Sequence, residues 1–173
     1  MRRREKMFCP NCNNALPDNA TFCNVCGVNF QPAPQMMNIV PAGKKIRYGC
    51  PACKAVSDVT SDAACPSCGN PTAPGGYIKL YRMGSFYGIA NGFGIYIDGV
   101  PTGYIGNKQT CWIRVPYGTH RLHVAVGLSR KCEDVAVTIA PDHPLEALKV
   151  YMKPGFFVNT FKIIAANPTE VPD

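Results

Sequence analysis

Cysteine is the residue type with the most chemistry to offer in this chain. Eight of its ten cysteines form four Cys-x2-Cys pairs: Cys9/Cys12, Cys23/Cys26, Cys50/Cys53 and Cys65/Cys68. A Cys-x2-Cys turn folds two thiolates onto one point, and two such turns supply the four soft ligands of a tetrahedral Zn²⁺ site. Ten residues lie between Cys12 and Cys23 and eleven between Cys53 and Cys65, room for a short hairpin between knuckles and little more. The spacing predicts two Zn²⁺ ions, one on Cys9, Cys12, Cys23 and Cys26 and the other on Cys50, Cys53, Cys65 and Cys68. Four thiolates leave no position for water or substrate, so both ions are expected to be structural. A cross-braced arrangement, with alternate pairs sharing a metal, is the competing topology. Closure within each set is entropically easier across the loose segment that separates them.

The other candidates for chemistry have plainer readings. Asp98 precedes Gly99, a favoured hairpin pair. His120 follows a turn on an apolar face and is expected to satisfy a backbone carbonyl, while His123 falls on the opposite, exposed face. His143 lies in a proline-bounded turn. Gly92-Phe93-Gly94 imitates a phosphate loop, but a phosphate cradle needs a following helix N-terminus, and Ile95-Tyr96-Ile97 is a strand pattern. Cys111 alternates with Trp112, and Cys111 and Cys132 are the two thiols left over. No Ser, Cys or Lys sits in a nucleophile motif and no second carboxylate stands beside Asp98, so the chain is not expected to be an enzyme.

The composition, 46% hydrophobic and 17% charged in 173 residues, is globular. The formal charge of +7 invites a nucleic-acid partner, with Arg2, Arg3, Arg4, Lys44, Lys45 and Arg47 as the phosphate-contacting residues beside the ribbons. Metal alters that count: eight thiols losing protons and two Zn²⁺ arriving bring the sum to about +3. No secretory signal follows the basic start, and no apolar run reaches the length of a membrane span. Reduced thiolates without an export signal point to the cytoplasm, and make a disulfide framework the weaker alternative.

These sites need small elements to hold them. The segment Phe8-Cys9-Pro10-Asn11-Cys12 with Asn19-Ala20-Thr21-Phe22-Cys23-Asn24-Val25-Cys26-Gly27 resembles the amino-terminal zinc-ribbon module of many bacterial membrane-associated and regulatory proteins. That resemblance implies zinc and protein association, and no reaction. The expected plan is ribbon 1 at 7–30, a Pro/Gly-rich linker at 31–46, ribbon 2 at 47–71, a β domain at 76–164 and a tail at 165–173. From Tyr77 the apolar period becomes two, with turn signals at Asn91-Gly92, Asp98-Gly99, Gly106-Asn107, Tyr117-Gly118 and Pro154-Gly155. This predicts nine short strands in a sandwich or barrel, with an antiparallel β-sandwich as the expected fold.

Within that domain Ile95-Tyr96-Ile97-Asp98-Gly99, then Gly103, then Val115-Pro116-Tyr117-Gly118-Thr119-His120-Arg121-Leu122 resembles the PEGA-type β-sandwich repeats. Tyr117 stands where that family's name-giving glutamate would be. Such domains are usually structural or adhesive. The whole chain thus reads as a non-enzymatic zinc protein serving as a protein-interaction or adaptor module, with nucleic-acid binding as the rival. The partner is unnamed, and an exposed β edge offers a route to homo-oligomers.

Overall fold

The computed structural model describes residues 7–8, 14–16, 25, 39–41, 43–59, 64–85, 92–125, 134–153, 155 and 160–173. The chain divides into two units, Met1–Gln35 and Met36–Asp173. In the first, β1 (Met7–Phe8) pairs antiparallel with β2 (Ala15–Leu16), Met7 opposite Leu16. Among its described residues the second holds ten strands and one short 3-10 turn. They are β3 (Ile46–Gly49), β4 (Val56–Val59), β5 (Gly75–Arg82), β6 (Phe93–Ile97), β7 (Val100–Ile105), β8 (Thr110–Pro116), β9 (Gly118–Ala125), β10 (Val135–Ile139), β11 (Leu145–Lys153) and β12 (Thr160–Ala166), with the turn at Pro168–Glu170.

Two sheets share one apolar core. The larger runs β12-β11-β5-β8-β3-β4 and the smaller β10-β9-β6-β7. Ile78, Leu80, Ile113, Val115, Leu148, Val150, Phe161 and Ile163 come from the first and meet Phe93, Ile95, Ile105, Leu122, Val124, Val137 and Ile139 from the second. The period-two pattern in β9 resolves as expected, with Leu122 and Val124 fully buried and Arg121 exposed. A charged side chain joins this core: the Arg82 guanidinium is fully buried, lies 3.5 Å over the Phe93 ring and donates to the Ile105 carbonyl. Burial lowers its pKa.

The larger sheet is mixed, where antiparallel pairing had been expected throughout. β5 runs antiparallel to β8 on one side and parallel to β11 on the other, Leu145 opposite Tyr77. Hairpin turns report only strands that follow one another, and β5 meets β11 after the chain has built the smaller sheet. A second parallel pair, β3 with β8, joins the second cysteine set to the β domain, so the expected boundary at 71–76 lies inside one compact unit. Ile39 and Val40, in the expected linker, pack with Ile46, Tyr77, Trp112, Val59 and Leu145 on the outer face of this sheet.

Gly75 and Gly76 let neighbouring backbone approach β5. A Cβ on Gly76 would collide with the Pro144 carbonyl and come within 2.6 Å of the Ile139 side chain. Gly76→Ala is therefore expected to destabilise the zinc-loaded chain by about 2 kcal/mol or more, read as a lowered denaturant midpoint. Gly49→Ala, where a Cβ meets nothing within 4 Å, should cost much less.

Candidate metal centre

The second cysteine set is built from two turns of the same construction. In the first, Cys50 N–H donates to Ala55 O at 2.9 Å and Lys54 N–H donates back to Cys50 O at 2.9 Å. In the second, Cys65 N–H donates to Asn70 O and Gly69 N–H to Cys65 O, both at 2.8 Å. The fourth residue after each leading cysteine takes a left-handed backbone, Gly69 at φ 71° and Lys54 at φ 62°. Glycine accepts that conformation freely and lysine does not. Strands β3 and β4 form the hairpin under the first turn, and a bridge between Ala64 and Pro71 closes the second. Tyr48 and Val59 pack against the buried Cys50 and Cys65.

The sulfur positions fit a tetrahedral ion. Cys50 Sγ lies 3.7 Å from Cys68 Sγ and Cys53 Sγ lies 3.8 Å from Cys65 Sγ, and all four lie within 4.8 Å of one another. Zn–S bonds of about 2.3 Å in tetrahedral array place sulfurs about 3.8 Å apart. Among the described residues these four cysteines form one group that could hold an ion. Electrostatics point the same way. The Cys53 backbone N–H, with that of Ala52, draws the Cys50 thiol down to about 6 despite burial. At Cys68 the Asn70 N–H also pulls downward, but burial and the sulfurs of Cys53, Cys50 and Cys65 outweigh it and leave that thiol at about 12. Four thiolates crowded this closely cannot all ionise without a cation among them.

Cys9, Cys12, Cys23 and Cys26, the Arg2–Arg4 arm and Cys132 lie outside the described residues. Arg47 sits on β3, which leads into the second cysteine set, with its guanidinium engaged: Nε donates to Asp58 at 2.9 Å and Nη1 to the Tyr104 carbonyl at 2.7 Å. Burial works against its charge, and the hydrogen bond to Asp58 leads the contributions that raise its pKa on balance. Lys45 is exposed and Lys44 half-buried. Cys111 is half-buried against the main core, which pushes its thiol up to about 11.

Between ribbon and β domain lies a cleft of about 210 Å³, walled by Tyr48, Lys54 and Val56 on one side and by Val100, Ile113 and His120 on the other. His120 does meet a carbonyl, Pro116 O at 2.9 Å, and its Nδ1 lies 2.8 Å from Asp98 Oδ2. The other Asp98 oxygen accepts from the Arg121 backbone N–H. Burial alone would raise the Asp98 pKa; the His120 ring and the Arg121 N–H hold it below the usual carboxylate range. With both ring nitrogens engaged, His120 braces the left-handed Asp98-Gly99 turn. Proximity of these two residues was missed in the sequence, as were the Arg47 clamp and the strained Lys54.

The family model described as Double zinc ribbon matches residues 9–69, a span that holds all eight paired cysteines. No curated protein and no solved structure matches the chain. The chain thus carries a zinc-ribbon domain in a nearly all-β setting, with a four-cysteine cluster suited to structural zinc.

Two outcomes follow from this geometry. Chelation, or Cys65→Ser, should sharply increase amide exchange in β3 and β4 while β6 and β9, supported by the main core, keep their protection; hydrogen-exchange mass spectrometry reads both. Lys54→Gly should relieve the left-handed strain and raise holo-protein stability by up to about 1 kcal/mol, measured by denaturant titration in saturating zinc.

Proposed function

We propose that this chain is a non-enzymatic, cytoplasmic protein-interaction adaptor. In this reading two ribbons hold two structural Zn²⁺ ions, and the paired sheets form a PEGA-like β-sandwich that carries the second ribbon as an extension of one sheet. The observation that carries the choice of partner class is the use made of Arg47. Arg47, on the strand that leads into the second cysteine set, spends its guanidinium on Asp58 and on a β7 carbonyl, where a nucleic-acid reader would turn it toward phosphate. The braced His120–Asp98 pair and a metal site with four protein ligands support a scaffold over a reaction centre. Among the described residues no helix is long and apolar enough to cross a membrane.

The test is affinity capture on the zinc-loaded chain, with and without nuclease, beside oligonucleotide binding at several salt concentrations. A defined protein that survives nuclease and is lost with Cys50→Ser/Cys65→Ser is the expected result, with weak and nonspecific oligonucleotide binding. Retained material that leaves with nuclease, together with a steep salt dependence that shrinks as Arg2, Arg3, Arg4 and Lys45 are removed, would replace this reading with the nucleic-acid one.

A further inference from the structure

The chain leaves β12 at Ala166 and doubles back across the outer face of the larger sheet. Asn167 caps the 3-10 turn, its Oδ1 accepting from the Thr169 N–H and hydroxyl at 3.3 and 3.0 Å. Beyond it, Glu170 accepts from Lys149 Nζ on β11 at 3.1 Å, and Pro172 O accepts from Thr110 Oγ1 on β8 at 2.7 Å. Lys79 on β5 gathers the rest, donating to Pro168 O at 3.2 Å, Val171 O at 2.7 Å and the Asp173 carboxylate at 2.7 Å. Val171 is buried, and Lys79, 4% exposed, lies 5.1 Å over the Trp112 ring.

A receptor holds a peptide in this manner: fixed cations take carbonyls and carboxylates, and one aliphatic side chain is buried. These donors are side chains of the sheet, so the segment can leave without breaking a strand ladder. Departure has a cost, because an ammonium this far from water needs acceptors. The vacated site therefore calls for a replacement of the same chemistry. A phosphodiester would supply charge but neither the carbonyls nor the aliphatic side chain.

We propose that this face is a binding site for an acidic segment of a partner protein with the pattern Glu-aliphatic-Pro-Asp, occupied in cis by residues 168–173 until the partner displaces them. This rests on the protein-interaction reading above and gives that partner its chemistry. The tethered segment competes at an effective concentration in the millimolar range, so the unaltered chain binds such a peptide weakly.

A labelled peptide of sequence Ala-Asn-Pro-Thr-Glu-Val-Pro-Asp is titrated into the zinc-loaded full chain and into its Val171→Asp/Asp173→Lys variant. The variant should bind at least ten-fold tighter than the parent, and adding Lys79→Met should abolish the gain. If the double variant does not fold, Asp173→Asn provides the same comparison with a several-fold gain expected. Equal affinities in folded parent and variant overturn the proposal. So does a variant that takes single-stranded oligonucleotide but no peptide, or a parent that forms dimers which the peptide dissociates, since the occupant is then another copy. Peptide binding without any captured partner would count against the adaptor reading alone, and a captured partner without peptide binding against this proposal alone.

Discussion

The parallel pairing of β3 with β8 is the constraint on which the arrangement of the second unit depends. Only three residue pairs make it, Ile46 with Trp112, Arg47 with Ile113 and Tyr48 with Arg114, yet each organises something different. Ile46 and Trp112 centre the small outer core. Arg47 reaches β7. Tyr48 packs on the buried cysteines and so fixes the metal turn to the end of the sheet. A two-stranded hairpin is marginal by itself in water. Here the sheet steadies one end of it and the thiolate cluster the other.

Much of the β domain was legible because alternation and turn chemistry are local. Asp98-Gly99 specified its hairpin, and the strands from Gly75 onward fall close to where the apolar period placed them. What stayed hidden was non-local. Nothing in Tyr77–Arg82 announces that it will lie parallel to Leu145–Val150, and two aliphatic residues among prolines, Ile39 and Val40, look like linker until Trp112 is seen beneath them. The metal turns were half legible: spacing identified the second set of ligands, whereas the left-handed residue shows as glycine at Gly69 and is masked by a lysine at Lys54. The first set lies outside the described residues, so its legibility rests on the family match over residues 9–69.

Charge is where composition misled most. A formal +7 counts every Lys and Arg as surface, but several serve as internal braces. Arg82 is stacked in the core, Arg114 donates to the carbonyls of Ala73, Gly76 and Val115, Arg47 joins ribbon to β7, and Lys79 holds the returning segment. Engaged in these contacts, the four side chains offer little to a passing polyanion. Long-range attraction follows net charge, while tight contact requires cations that can reach the ligand.

Arg47 also has a bearing on how the protein fares when zinc is scarce. β7 is an outer strand of the smaller sheet, and the Arg47 guanidinium covers one of its carbonyls in space that Gly103, at φ 107°, leaves by having no side chain. Metal that steadies the β3–β4 hairpin therefore shields two strand edges at once, that of β8 by pairing and that of β7 by a capped acceptor. Release of the hairpin would bare both, and bare edges are templates for aggregation. Zinc supply in this chain is thus a matter of colloidal behaviour as well as of folding, and a metal-starved population should be lost to precipitation before its main core unfolds.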